Sequence, residues 1–173
     1  MAASRPDLRI EPLAPHHDRD SFSCGVDSLD RYLRTQATQD VRRKANGVFV
    51  LVEPDRPDVV LGYCTLCATG LPQGEVPADA RKHIPRYPLV SATLVGRLAV
   101  SDTRQGQRLG AMLLADAVQR AYATASTVGS SMLVVDAINE RAAAFYEGNG
   151  FVRLPDSMRL VLPMHAIEKL VKP

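Results

Sequence analysis

The residues whose types and spacing could do chemistry lie in the second half of the chain. Between an apolar run, Ala92–Val100, and a stretch of helical rhythm sits Arg104-Gln-Gly-Gln-Arg-Leu-Gly110. A glycine-containing turn that feeds a helix N-terminus gathers unpaired backbone N–H groups and the positive end of the helix dipole. Such a turn holds a pyrophosphate without needing side-chain charge. An ordinary strand–helix turn with packing glycines has the same pattern, and the turn alone does not separate the two. Downstream, Tyr146 follows Phe145 in a second helical stretch. Tyrosine, with a reference pKa of about 10, stays protonated at neutral pH and can donate that proton. Its bland alternative is a packed aromatic. Asp136 sits in an apolar run, where a carboxylate needs a partner.

Other chemistries find less support. The three cysteines, Cys24, Cys64 and Cys67, are too few and odd in number for a disulfide framework. Cys64 and Cys67 spell C-x-x-C inside a strand-like run, where residues three apart face opposite ways. The four histidines, His16, His17, His83 and His165, are not at ligand spacing to one another or to the cysteines, so no metal site is expected. Glu140, Glu147, Asp102 and Asp136 lie near the motifs, but none stands out as a general base. The net charge is only +2, yet Arg42-Arg43-Lys44, Arg81-Lys82-His83 with Arg86, and Arg104 with Arg108 form basic clusters. Charge runs are usually solvated surface.

These residues need elements to hold them. Leu8–Leu13 reads as a first strand. Asp27 or Ser28 can cap a helix in which Leu29, Tyr32, Leu33, Ala37 and Val41 recur at helical spacing, running to about Lys44 with Asn46-Gly47 as its stop. Gly47–Glu53 and Val59–Thr69 read as an antiparallel hairpin around a Pro54–Pro57 turn. Gly70–Pro88, with four prolines, reads as a long loop holding at most a short helix. Then come a strand at Ala92–Val100, a helix from about Gln107 to Ala125, and a strand at Met132–Ile138. A helix from Asn139 ends at Gly150, strands start at Phe151 and Met158, and the tail is helical. Strand–helix–strand–helix–strand implies a right-handed parallel crossover. The expectation is an α/β chain with an antiparallel front and a parallel centre.

At 173 residues this fits one domain, residues 1–173, and 46% hydrophobic with 23% charged residues is ordinary for a globular protein. No apolar run approaches the roughly 18 residues a membrane span needs, and MAASRPDLRIEP lacks a signal peptide's apolar core. A cytoplasmic location is the expectation.

Two segments together resemble the GNAT superfamily of N-acetyltransferases. That superfamily's acyl-CoA loop opens on Gln or Arg and carries glycine at its fourth position and Gly or Ala at its sixth. Here Gln105 opens it and Gly110 closes it, while Arg108 replaces the middle glycine. At a position requiring positive φ, that replacement costs roughly 1–2 kcal/mol. Arg108 can instead offer its guanidinium to a phosphate. The second segment, Val135-Asp-Ala-Ile-Asn-Glu-Arg-Ala-Ala-Ala-Phe-Tyr-Glu-Gly-Asn-Gly-Phe151, is similar to the superfamily's N-x-x-A-x-x-x-Y-x-x-x-G-F run, with Asn139, Ala142, Tyr146, Gly150 and Phe151 in register. The resemblance implies a GNAT fold, a mixed sheet of six or seven strands flanked by helices, and acetyl-CoA as cofactor. By the same resemblance Leu98, Ala99, Val100, Gln105, Gly106, Gln107, Arg108, Leu109, Gly110 and Asn139 bind it, a strand amide near Arg97–Val100 faces the oxyanion, and Tyr146 is the general acid.

The N-terminal half narrows the likeness. Phe22-Ser-Cys-Gly-Val-Asp-Ser-Leu-Asp-Arg-Tyr-Leu33, Val48-Phe49-Val50, Gly62–Leu66, Pro85-Arg86-Tyr87-Pro88 and Gly96–Val100 resemble the GNAT toxins of bacterial toxin–antitoxin pairs. That likeness implies acetylation of the α-amino group of aminoacyl-tRNA, a ribbon-helix-helix antitoxin as partner, and a homodimer. An α-amino group, with a pKa near 7.7–8.0 against about 10.4 for lysine, is partly neutral at pH 7 and suits a site without a base. Arg42, Arg43, Lys44, Arg81, Lys82, Arg86 and Arg97 then become candidates for phosphate contacts, which position a nucleic acid without reading it. Two alternatives stay open: a GNAT enzyme for a small amine or peptide N-terminus, and a non-catalytic module that kept the fold and lost CoA.

Overall fold

The computed structural model describes residues 7–171. Seven strands form one mixed sheet: β1 (Arg9–Pro12), β2 (Gly47–Val52), β3 (Gly62–Pro72), β4 (Leu89–Val100), β5 (Met132–Asp136), β6 (Val152–Arg153) and β7 (Arg159–Pro163). Their order across the sheet is β1-β2-β3-β4-β5-β7-β6. Six helices accompany them: α1 (Asp27–Thr35), α2 (Ala37–Arg42), α3 (Ala78–Arg81), α4 (Leu109–Val128), α5 (Glu140–Gly148) and α6 (Met164–Val171). The expected α/β class and strand number both hold.

The front is antiparallel, β1 on β2 with Ile10 opposite Leu51, and β2 on β3 with Val50 opposite Tyr63. At the centre β4 and β5 are parallel, Ala92 opposite Met132, joined through α4. After α5 the chain adds no further parallel strand. The strand that reaches β5 on its other side is β7, antiparallel, with Asp136 opposite Arg159, and β6 pairs only with β7. Burial explains the choice. Leu160 and Val161 are fully buried, whereas Val152 in the two-residue β6 is half exposed. A run buried on both faces belongs inside a sheet, and a short half-solvated one at its edge.

The single helix expected from Asp27 to Lys44 is two helices. Val26, not Asp27 or Ser28, holds the N-cap position of α1, and Asp27 and Asp30 lie in its first turn. Thr35 Oγ1 donates to the Arg31 carbonyl one turn back (2.7 Å), a bond that bends helices, and Gln36 leaves helical geometry. Past the break Ala37 is fully buried with Leu33. The second helix ends at Arg42, close to the expected end at about Lys44, and Lys44 lies in the left-handed region at φ +59°. Beyond it, β3 runs on to Pro72, into the expected Gly70–Pro88 loop, and β4 begins at Leu89, directly after that loop. Their connection contains a 3-10 turn (Gln73–Glu75) and the short α3, and the Gln73 amide donates to the Pro88 carbonyl at its base (3.0 Å).

The chain clusters into two compact units, one of residues up to Leu66 with Arg97–Asp116, the other of Cys67–Gly96 with the residues from Ala117 on. The first has its own core of Phe22, Tyr32, Leu33, Val50 and Tyr63, in which the Tyr63 hydroxyl donates to the Leu29 carbonyl (2.6 Å). The second closes over Leu71, Val90, Met132, Val134 and Val161.

Candidate active site

In the first unit, β4 ends at Val100 and the chain is pinned at once. The Ser101 amide donates to the Leu61 carbonyl and the Asp102 amide to the Ser23 carbonyl, each at 2.8 Å. A 3-10 turn at Asp102–Arg104 follows, anchored by an ion pair between Arg104 and Glu53. Gln105 Nε2 donates to the carbonyls of Cys24 (3.0 Å) and Val100 (3.2 Å). The amide side chain that opens the motif therefore clamps the turn from within. The backbone then passes through Gly106 at φ +80° and Arg108 at φ +62° before α4 starts at Leu109. The arginine in the motif's glycine position does adopt the left-handed conformation that favours glycine. Its carbonyl accepts the Met112 amide (3.2 Å), so the strained residue is the one that starts the helix.

This turn fits a diphosphate. Gln105 to Arg108 are exposed, and nothing lies within 4 Å of where a side chain on Gly106 would begin. Helix geometry leaves the leading amides of α4 without carbonyls of their own helix, and the dipole adds positive potential at the same end. Leu109 and Leu113, both buried, hold the helix in place. Beside the turn, a Cβ on Gly62 would fall 2.8 Å from the Ala99 carbonyl oxygen, so glycine permits the close approach of β3 to Ala99. Leu98 and Val100 are half-buried and Ala99 is buried.

Tyr146, in the second unit, is buried on α5. Phe145 and Phe151 meet its ring edge-on, with centroids 5.2 and 5.7 Å away. Asn139 caps α5, its Oδ1 accepting the Ala142 amide at 2.8 Å, and Glu140 binds Arg153 through two hydrogen bonds of 2.7 and 2.8 Å. Asp136 has the partner an acid in an apolar strand requires. Arg159, directly across the ladder, donates from Nε (2.8 Å) and Nη2 (3.0 Å) to its two oxygens.

The basic candidates divide by what they touch. Arg42, Arg43 and Lys44 are exposed at the end of α2, and Lys82 and Arg86 are exposed in the β3–β4 connection. Arg81 is engaged locally, donating from Nε to the Val76 carbonyl (2.9 Å) and from Nη2 to that of Gly74 (3.1 Å). Arg97 lies over the Tyr32 ring, 3.5 Å from its centroid, while the Tyr32 hydroxyl donates to Asp40 (2.8 Å). Burial and the Asp40 hydrogen bond push that hydroxyl up to about 12. Arg81 and Arg97 thus have structural work, and the exposed five do not.

No cysteine forms a disulfide. Burial and Asp30 push the Cys24 thiol up to about 11, which removes it as a nucleophile. One cluster escaped the sequence reasoning because histidines were weighed only against histidines and cysteines: Glu11, His16 and His17 bring donor atoms within 4.8 Å of one another. The Ala14 amide donates to His17 Nδ1 (2.9 Å), which puts the ring proton on Nε2, and Nε2 donates it to Glu11 Oε1 (2.8 Å). A histidine with both nitrogens engaged in this way is a satisfied core residue, not a ligand.

Residues 45–153 match the profile of the acetyltransferase (GNAT) domain. The chain belongs to the GNAT acetyltransferase family. This acetyltransferase is 33% identical, over 89% of its length and 90% of the relative's, to a protein of Mycobacterium tuberculosis named tRNA-acetylating toxin. Its fold superposes on AtaT complexed with acetyl-methionyl-tRNAfMet with a TM-score of 0.87 at 33% identity, covering 95% of this chain and 99% of that one. It also superposes on an AtaT variant bound to the C-terminus of the antitoxin AtaR and acetyl-CoA, with a TM-score of 0.81 at 30% identity over 96% and 99% of the two chains. Among the described residues of the acetyltransferase, no helix is long and apolar enough to cross a membrane. Sequence reasoning singled out Asp136 but missed Arg159. The signal available was an opposite charge at the outer end of each of two apolar runs.

Proposed function

We propose that this chain is a toxin that acetylates the α-amino group of aminoacyl-tRNA and so blocks translation, its residues working as one acetyltransferase domain in the cytoplasm. The observation that carries the reading is near-full-length identity of 33% to a protein named for that activity, together with both acetyltransferase motifs in register. The amides from Gln105 to Gly110 and the N-terminus of α4 take the diphosphate of acetyl-CoA. The Arg108 guanidinium adds a charge-assisted contact, and Leu98, Ala99, Val100 and Asn139 line the pantetheine arm. When bound, that molecule supplies the acetyl group as a thioester. A backbone amide of the Leu98–Val100 segment faces the carbonyl oxygen as negative charge builds there. Tyr146 holds the proton that a departing thiolate requires. Water accepts the proton of the α-amino group, which is acidic enough to need no stronger base.

Exposed Arg42, Arg43, Lys44, Lys82 and Arg86 support phosphate contacts with the tRNA. A ribbon-helix-helix antitoxin and a homodimer complete the reading. The test uses purified protein, labelled acetyl-CoA and aminoacyl-tRNA. Tyr146→Phe is expected to lower transfer by about a hundredfold or more, the usual range for losing a general acid, with acetyl-CoA affinity retained. A Phe variant as active and as toxic as the parent overturns the role of Tyr146. No transfer to any aminoacyl-tRNA by the parent overturns the function.

A further inference from the structure

The last residues of β4 stand beyond its ladder with β5, which runs from Ala92 to Val95. Alternate residues of a strand turn their N–H groups to opposite edges. The Ser101 amide donates to the Leu61 carbonyl at the start of β3, so the amides of Val100 and Leu98 face the other edge. On that edge the Val100 carbonyl accepts Gln105 Nε2 (3.2 Å). A backbone donor that works there needs an anchor other than the β5 ladder. Arg97, the residue before Leu98, has one. Its guanidinium carbon lies 3.5 Å from the centre of the Tyr32 ring. Tyr32 is itself fixed: it is buried, its ring stacks on Tyr63 with centroids 6.3 Å apart, and its hydroxyl donates to Asp40 Oδ2 (2.8 Å). Asn46 Nδ2 donates to the same oxygen (3.0 Å) and Gln36 Nε2 to the other (2.9 Å). Neutral donors therefore engage both oxygens of Asp40, and the Arg97 guanidinium is hydrogen-bonded to none of the described residues. It is held by its flat face, the mode in which a guanidinium differs most from an ammonium. Every residue of this chain of contacts belongs to the first unit.

We infer that Arg97 is a positioning residue for acetyl transfer: seated on Tyr32, it fixes the backbone that presents the Leu98 and Val100 amides to the thioester carbonyl, and Asp40 acts through the Tyr32 hydroxyl. The inference rests on the proposed function and adds the residues that set its geometry. A peptide unit joins Arg97 to Leu98, so any rocking of Arg97 turns the Leu98 N–H with it. An oxyanion donor is useful only within a narrow range of about 2.7–3.1 Å from the oxygen that gains charge. Misplacement by about 1 Å costs on the order of a hundredfold in rate, so a shift of a fraction of that costs about tenfold. Such a loss falls on the chemical step, because the donor hydrogen bond strengthens in the transition state. A phosphate contact would instead be lost from tRNA binding and from its salt dependence.

The experiment measures kcat and KM of the full chain with acetyl-CoA and aminoacyl-tRNA at several salt concentrations. Arg97→Ala is expected to lower kcat about tenfold, with KM for both substrates and the salt dependence of tRNA binding unchanged. Arg97→Lys keeps the charge but not the flat stack, and its kcat should fall between those of the parent and Arg97→Ala. Tyr32→Phe keeps the ring under the guanidinium and cuts the link to Asp40, while Asp40→Asn weakens that link from the other end. Each should lower kcat a few-fold, and the two combined should lose no more than the worse of them, since they break one connection. Asp40 is only half-buried, so its variant tests the idea even if Arg97→Ala fails to fold. A parent-like kcat in Arg97→Ala or Arg97→Lys overturns the positioning role while leaving the proposed function intact. So does a raised KM for tRNA with a shallower salt dependence, which makes Arg97 a phosphate contact. Losses that add in the combined variant overturn the part given to Asp40. A parent that acetylates no aminoacyl-tRNA overturns both the inference and the proposed function.

Discussion

Arg108 offers the sharpest test of how the phosphate turn is built, because backbone strain and side-chain charge coincide there. At φ +62° a residue with a Cβ pays roughly 1–2 kcal/mol that glycine avoids. Glycine in turn makes the unfolded chain freer, which removes about 0.4–1 kcal/mol of the gain. Arg108→Gly should therefore be more stable than Arg108→Ala by about 0.5–1 kcal/mol, and since 1 kcal/mol moves Tm by roughly 2–4 °C at this size, the gap is about 1–4 °C. Neither variant keeps the guanidinium, so their affinities for acetyl-CoA should fall together. An exposed ion pair contributes up to about 1 kcal/mol, which limits the rise in Kd to about fivefold. Calorimetric melting reads the first quantity and isothermal titration with acetyl-CoA the second. An alanine variant as stable as the glycine variant refutes the strain argument. A rise in Kd of about a hundredfold refutes the view that backbone amides carry the diphosphate.

Two further outcomes follow from other sites. Thr65 is fully buried in β3 and its Oγ1 has no hydrogen-bond partner among the described residues. Thr65→Val removes that orphan and should raise stability by about 1 kcal/mol, or Tm by roughly 2–4 °C, and a lowered melting temperature would reveal a partner for the hydroxyl. Replacing Arg42, Arg43 and Lys44 together by glutamine should weaken tRNA binding most at low salt. The slope of log affinity against log salt should fall by about one for each phosphate that the cluster no longer neutralises. An unchanged slope removes this cluster from the tRNA interface.

Much of this protein was legible along the chain because its signals are local. A strand period, a glycine turn, an asparagine cap and a tyrosine at fixed spacing each depend on neighbours within a few residues. The turn from Arg104 to Gly110, the Asn139 cap, the hairpin of β2 and β3 and the β4–α4–β5 crossover were all readable that way. Signals that arise from competition were not. The hydrophobic rhythm from Leu29 to Val41 looks continuous, and only the Thr35 back-bond and the burial of Ala37 show where the helix divides. Likewise, the sequence order of β6 and β7 does not reveal that β7 takes the place beside β5. That outcome depends on which strand buries more apolar surface once both are present.

The candidate site divides along the same line. Residue type and spacing, set beside the superfamily's pattern, carried the acetyltransferase motifs, the need of Asp136 for a partner and the anomaly of Arg108, since each is a property of a short stretch. Tertiary structure alone decided that Arg108 takes the left-handed conformation, that Arg159 answers Asp136, and that Arg81 and Arg97 already have partners. The reason is physical: backbone angles in a turn and ion pairs across a ladder are set by segments far apart in sequence, and they exist only once folding has brought those segments into contact.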